Sequence, residues 1–316
     1  MAQNKNVRKK RLLPGSLHLS LPATSANLGP AFDAAALAMD LYITIAAKAA
    51  SEFRISASGR DKAVCQELEN HLIIKTYREV LQNLEVEDVP LSLRIANGFP
   101  IGKGCGSSAA ARLAGIALAN HFGNLRWSDA QIIAEGSRRE KHSDNVAACW
   151  LGGLTVARMS SDGQAHVACI RPKGKWPLLL AVPEEVLLTE QARRVLPDQY
   201  SRADAVLNIQ NSMLLLAAFS QGRNELLAAA LEDRIHQPYR AALCPLLPAL
   251  QPLTGKQGVL GVAISGAGPS VLIFLDPKVA AHKIKEAVAA QLSAAGLKAE
   301  LISTSIALRG AQTSHG

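Results

Sequence analysis

The stretch from Pro100 to Ala111, PIGKGCGSSAAA, restricts the chain more closely than any other. Glycines at alternate positions (Gly102, Gly104 and Gly106) let the backbone take positive φ and approach a neighbour that a Cβ would keep away. The alanine- and leucine-rich run that follows as far as Asn120 is a strong helix former. A glycine-rich turn delivered onto a helix N-terminus presents unpaired N–H groups and a positive dipole end, a setting suited to phosphate. The same residues would also serve as a tight turn packed beneath a helix. Spacing alone leaves both readings open.

The familiar phosphate signatures are missing elsewhere. No GxxxxGK[ST] occurs, which disfavours a P-loop enzyme. GKGCG lacks the GxGxxG spacing, and no acid closes a second strand at the required distance, which disfavours a dinucleotide fold. Any phosphate cradle here must be of another kind.

With 316 residues, 48% hydrophobic and 19% charged, the chain suits one large or two ordinary soluble domains. No apolar run approaches the ~20 residues of a membrane span, and the N-terminus lacks the apolar core of a secretory signal. The expectations are a cytoplasmic location and no membrane partner. Of the net charge of +8, +5 comes from Lys5, Arg8, Lys9, Lys10 and Arg11, with no acid before Asp33. Residues 1–13 therefore read as a basic, solvated, disordered tail. It has no aromatic–basic interleaving, so no nucleic-acid partner is expected. The five cysteines (65, 105, 149, 169 and 244) form no CxxC pair, against a disulfide framework or a structural zinc site.

Along the chain, residues 18–21 read as a strand and 23–32 as a loop. Residues 40–49, 52–58 and 91–96 read as strands, with a helix over 70–84. Ser128 and Asp129 open a helix to about Arg139, and HSDNVAACWLGG (142–153) reads as a polar turn before an apolar segment. A hairpin turns at Asp162-Gly163. RPKGKWP (171–177) has little to bury and marks a boundary, giving domains 14–172 and 173–316. In the second half, helices are expected near 189–196, 202–220, 223–234 and 278–295, and strands at 258–265, 271–275 and 299–308. Strands and helices mix without strict alternation, which indicates an α+β fold.

Three stretches, PATSANLGPAFDAAALAMDLY (22–42), PIGKGCGSSAAA (100–111) and GVAISGAGPSVLIF (261–274), resemble the three ordered motifs of the GHMP kinase superfamily. HSDNVAACWLGG, LLTEQARRVLPDQYSRADAV (187–206) and DRIHQPYRAALCP (233–245) are similar to motifs of its homoserine kinase branch. The resemblance runs from about residue 17 to 308. It implies a two-domain fold, with an N-terminal ribosomal-S5-domain-2-like part and a C-terminal ferredoxin-like part.

It further implies ATP and Mg²⁺ as cofactors and the small molecule L-homoserine as substrate, phosphorylated on its hydroxyl in threonine biosynthesis. The ATP side would comprise Asn70 near the adenine and Pro100, Ile101, Gly102, Lys103, Gly104, Cys105, Gly106, Ser107, Ser108, Ala109 and Ala110 around the phosphates. Ser108 and Glu135 would ligate Mg²⁺. Asn27, Asp33, His142, Asp144, Asn145, Thr189, Arg193, Arg240 and Gly266 would surround the amino acid, with Asp33 and Asn145 closest to the chemistry. Two arginines suit a carboxylate, and the two aspartates suit an ammonium. Asn145 stands where many relatives are credited with an aspartate base. Alternatives within the resemblance are a sibling kinase for another small alcohol and a silent ligand sensor. A homodimer is the assembly the resemblance leaves open.

Several positions depart from the pattern: Ala31 for a glycine, Cys105 for a leucine, Ser143 and Ala148 for prolines, and the charged segment GSRREK (136–141).

Overall fold

The computed structural model describes residues 15–316, so the tail expected over 1–13 lies outside the described residues. The chain opens with β1 (Leu17–Asn27), β2 (Ala31–Ala49), β3 (Arg54–Gly59), α1 (Lys62–Gln66), α2 (Leu72–Asn83) and β4 (Leu91–Asn97). It continues through α3 (Ser107–Phe122), α4 (Asp129–Glu140), α5 (Asp144–Leu151), β5 (Leu154–Met159) and β6 (Ala165–Ile170). The strands form one sheet in the order β11-β1-β2-β4-β3, extended by β5 on β2 and β6 on β5. Its β11 (Gln312–His315) is the last strand of the chain and pairs antiparallel with β1. The first sheet is thus completed by residues from beyond the expected boundary at 172. Leu17, Leu19 and Leu21 alternate with the exposed His18 and half-buried Ser20, so one face of β1 is core and the other is open. Under the core face lies α3, buried over most of its circumference, which explains why alanine dominates a helix that touches neighbours all round.

The second half runs β7 (Pro177–Val182), α6 (Thr189–Arg194), α7 (Arg202–Gln221), α8 (Leu227–Ala230), α9 (Gln237–Arg240) and α10 (Leu246–Leu250). After these come β8 (Val259–Ile264), β9 (Val271–Leu275), α11 (Ala281–Ala294) and β10 (Glu300–Ser305). The four strands pair antiparallel in the order β10-β7-β9-β8, the ferredoxin-like arrangement. PLLLAV and VLIFL are apolar without alternation because this sheet is covered on both faces. Leu178, Leu180, Leu272 and Phe274 join Phe219 of α7 in the core shared with the first sheet. Leu179, Val271 and Ile273 pack with Ile284 and Val288 of α11. The α+β, two-domain expectation agrees with this architecture. Among the described residues no helix is long and apolar enough to cross a membrane.

Several local expectations are corrected. Residues 23–32 are not a loop: β1 runs to Asn27, a tight turn with Leu28 and Gly29 at φ 43° and 74° follows, and β2 starts at Ala31. The run is small and polar because both of its faces are buried, not because it is solvated. Likewise residues 144–151 are helical. α5 is almost wholly buried and so shows no amphipathic period. Of the helix expected over 223–234 only Leu227–Ala230 is α-helical, after a 3₁₀ turn at 224–226. β11 (QTSH) was not anticipated, since an exposed edge strand carries no apolar alternation.

Helices α2 and α3 cross closely at Gly115, where a Cβ would lie 2.6 Å from Ile73 O and 2.6 Å from Thr76 Cβ. Gly115→Val should therefore cost about 2 kcal/mol by overpacking. An unchanged midpoint in urea unfolding would contradict this close crossing.

Candidate active site

The three motif stretches meet at one place. The Gly266 N–H donates to Ala26 O at 3.1 Å, and Asn27 Nδ2 donates to Gly266 O at 2.7 Å. Ser265 Oγ donates to Gly104 O at 2.7 Å and lies 2.9 Å from Ser25 Oγ. Thr24 N–H donates to Cys105 O at 3.0 Å. Two glycines are required by this approach: a Cβ on Gly104 would lie 2.2 Å from Ser265 O, and one on Gly106 would lie 1.8 Å from Thr24 Oγ1. Both sit at positive φ, 81° and 68°. Gly106 delivers the chain into α3, whose sixteen residues begin at Ser107. The first N–H groups of a helix that long have no intrahelical acceptor and face whatever lies before its N-terminus.

Before that N-terminus lies a cleft of about 170 Å³ between the two halves. Gly102, Gly104, Gly106, Ser107, Ser108 and Ala109 line one side. Asn27, Asp33, His142, Asp144, Asn145, Thr189, Arg193, Arg240 and Gly266 line the rest. The remaining expected residues lie behind this surface. Ile101 N–H, next to Pro100, donates to Asp61 at 2.8 Å. Lys103 Nζ donates to Pro183 O at 2.8 Å, tying the turn to the second half. Cys105 is buried, which pushes its thiol up to about 12. Ala110 is part of the core, and Asn70 sits in the turn before α2 at φ 57°, outside the cleft lining. A wider concavity of about 650 Å³ lies on the open face of the first sheet. It carries His18 and Arg94 but no carboxylate, so it lacks the mixed charge of the cleft.

Glu135 lies outside the cleft lining. Instead of facing Ser108 it is buried, with Arg138 on one oxygen and Arg139 Nε 2.5 Å from the other; Arg139 also reaches Glu79 at 2.6 Å. The cleft acid beside Ser108 is Glu140, which accepts from Ser108 Oγ at 2.6 Å and from Arg112 Nε at 2.5 Å. Glu140 stands inside GSRREK, five residues on from Glu135. That offset turns it to a different side of α4. Its one sequence signal is its place immediately before KHSDN. Among the described residues no three or more His, Cys, Asp or Glu side chains gather for a metal, so a cation here has few protein donors. A hydroxyl and a carboxylate 2.6 Å apart fit Mg²⁺, which takes oxygen ligands and keeps several waters.

The other end of the cleft is charged, with Arg193 and Asp33 still 38% and 35% exposed. Arg193 grips Asp33 with both terminal nitrogens, at 2.7 and 2.9 Å, and Asp33 N–H donates to Asn27 Oδ1 at 2.9 Å. Asp33 itself takes φ 54°, a left-handed backbone that turns it out of the β2 register. Burial works against protonation of His142, but its 2.9 Å contact with Asp144 and the charges of Asp144, Glu140 and Asp33 raise it above its ordinary range. Asn145 Oδ1 accepts from Thr24 Oγ1 at 2.6 Å. Arg240 is 1% exposed and donates to Ala192 O at 2.9 Å and His236 Nδ1 at 3.2 Å. Burial, and then the nearby Arg193 charge, lower its hold on its proton.

Both halves of the chain match family models, the GHMP kinases N-terminal domain over residues 71–153 and the GHMP kinases C-terminal domain over 215–294. By fold and by site the chain is a GHMP kinase in class. It is 42% identical over 259 residues to the homoserine kinase of Solibacter usitatus (82% of this chain, 85% of that one). It is 35% identical over 298 residues to that of Synechococcus sp. (94% and 97%). The chain belongs to the homoserine kinase family. The crystal structure of homoserine kinase from Cytophaga hutchinsonii has the same fold, with a TM-score of 0.80 at 24% identity over 95% of this chain and 98% of that one.

His236 supplies a test of the buried side of the cleft. Its Nδ1 accepts from Arg240, so its Nε2 carries the proton donated to Gly29 O at 2.8 Å, and burial holds it neutral, down to about 4. A base with a depressed folded value costs nothing above its ordinary 6.5 and loses stability as pH falls toward 4. Imidazole NMR should show His236 as the neutral Nε2–H tautomer at pH 6. A titration near 6.5 would refute this arrangement.

Proposed function

We propose that the chain transfers the γ-phosphoryl group of ATP to the hydroxyl of L-homoserine, giving O-phospho-L-homoserine and ADP, a step of threonine biosynthesis. The observation that carries this reading is a single cleft with a glycine cradle and a Ser108–Glu140 pair at one end and Asp33, Arg193 and Arg240 at the other. Its support in sequence comes from relatives named homoserine kinases that match over most of the chain.

The phosphates lie on the backbone of Gly102–Ala109 and the N-terminus of α3, where positive partial charge meets their negative charge. Mg²⁺, when bound, neutralises charge on the transferring phosphoryl oxygens; Ser108 and Glu140 are the residues that would hold it. The substrate carboxylate is received by Arg193 and Arg240, and its ammonium by Asp33 and Asp144. Asn145 orients the hydroxyl through its amide nitrogen, since its oxygen is taken by Thr24. The hydroxyl oxygen attacks γ-phosphorus, the bond to the bridging β-oxygen breaks, and ADP leaves. An amide cannot accept the hydroxyl proton, and in this reading the Asp33 carboxylate is given over to Arg193 and the substrate ammonium. The proton therefore passes to a phosphoryl oxygen. Positioning and charge neutralisation carry a loose phosphoryl transfer without a strong base.

Phosphorylation of L-homoserine, mevalonate, galactose and shikimate by the purified chain tests the reading. Turnover of another alcohol without homoserine would replace it with a sibling kinase, and ATP binding without any turnover would leave a ligand sensor. The two acids of α4 separate cleanly. Glu140→Gln should lower turnover by about 100-fold and raise the Mg²⁺ requirement, beyond the loss of about 1 kcal/mol of stability that goes with its Arg112 contact. Glu135→Gln should instead cost about 2 kcal/mol of stability, because it removes the buried carboxylate that Arg139 holds along with Glu79, while the folded fraction keeps its turnover. The reverse pattern would return Glu135 to the metal.

A further inference from the structure

Arg193 and Arg240 carry the same charge, yet they stand close enough for the charge of one to weaken the proton affinity of the other. Arg193 has a carboxylate partner in Asp33. Arg240 has none among its hydrogen-bond acceptors, which are Ala192 O, His236 Nδ1 and, at 3.5 Å, Gly266 O. A buried guanidinium bonded only to neutral groups, beside a second cation, is costly unless something else compensates it.

The charges of Asp33 and Asp233 favour the guanidinium from a distance, and one ring touches both cations directly. Arg193 Cζ lies 5.4 Å from the centroid of Phe32, and Arg240 Cζ lies 5.2 Å from the same centroid. Both are within the range in which a cation is drawn to an aromatic quadrupole, an attraction that grows when the pair is desolvated. His236 stacks on Phe32 with centroids 5.3 Å apart and planes at 27°, and it accepts from Arg240. Gly29 O, three residues before Phe32, takes the other nitrogen of that histidine. The ring is therefore fixed by the turn that also sets Asp33, the next residue.

We propose that Phe32 is a positioning residue that holds Arg193 and Arg240 together as one carboxylate receptor, and so determines the preference for acceptor alcohols that carry a carboxylate. This rests on the homoserine reading above. Phe32 makes no step of the transfer; it acts through the two guanidinium groups.

Steady-state kinetics of the full chain test it with Phe32→Leu, which keeps apolar bulk and removes the ring, and Phe32→Tyr, which keeps the ring. L-homoserine is compared with 3-aminopropan-1-ol, which has the same hydroxyl and ammonium but no carboxylate, measured as a competitive inhibitor. Phe32→Leu should raise KM for L-homoserine about tenfold, as expected for two weakened cation–π contacts. Meanwhile kcat, KM for ATP and the inhibition constant of 3-aminopropan-1-ol should stay within about twofold, and Phe32→Tyr should restore KM. A homoserine KM unchanged in Phe32→Leu would overturn the proposal. So would equal weakening of homoserine and the amine, which is what a general collapse of the site produces. A wild-type chain inactive on homoserine would instead sink the substrate reading, an outcome distinct from either.

Discussion

The structure depends on a backbone-to-backbone meeting of its two halves at Gly104. The Gly104 carbonyl accepts from Ser265, and a Cβ there would collide with the Ser265 carbonyl. Everything in the cleft is measured from this contact. It sets the distance between the turn that precedes α3, in the first half, and α6 and α9, which carry Arg193 and Arg240 in the second. Gly104 brings no side chain to the contact, and the Ser265 hydroxyl that meets its carbonyl is also held by Ser25 Oγ, which leaves the contact little room to relax. Phosphoryl transfer needs that rigidity, since a displacement of about 1 Å between donor and acceptor can cost orders of magnitude in rate.

The first sheet serves the same end. β1 and β2 lose their regular register between Pro22 and Ala23 and between Ala26 and Asn27. Irregular pairing re-aims side chains at a strand end, and here it lets Asn27 bridge Gly266 on one side and Asp33 on the other. The final strand β11 then pairs with β1 from outside. The strand that presents the site is flanked on both edges, and its far end is held by residues from the other terminus of the chain.

What was legible in the sequence was what leaves a local trace. The glycine turn, the helix after it, the α+β mixture and most cleft residues follow from positive-φ requirements, periodicity and motif resemblance. What was hidden arises from tertiary burial. The small residues at 23–32 look like a loop because a strand buried on both faces needs no large side chains. α5 lacks a polar face for the same reason. Glu135 and Glu140 are both acids on one helix, and choosing between them requires knowing which side of α4 meets Ser108. That knowledge depends on Arg139, which is pulled toward Glu79 of α2 and takes Glu135 with it.

The absence of a carboxylate at position 145 follows from the charge already in the cleft. Asp144 bonds His142, and its charge with those of Glu140 and Asp33 raises the affinity of His142 for a proton against the effect of burial. A fourth acid at the half-buried position 145 would add like charge to the cleft, where the proposed reaction brings in the ATP phosphates. An amide avoids that cost. Its oxygen accepts from Thr24, whose hydroxyl is the group that a Cβ on Gly106 would strike. Asn145 is thus locked to the residue that shapes the glycine turn, and under the proposed reaction alignment of the two reacting groups would take over the work of a base.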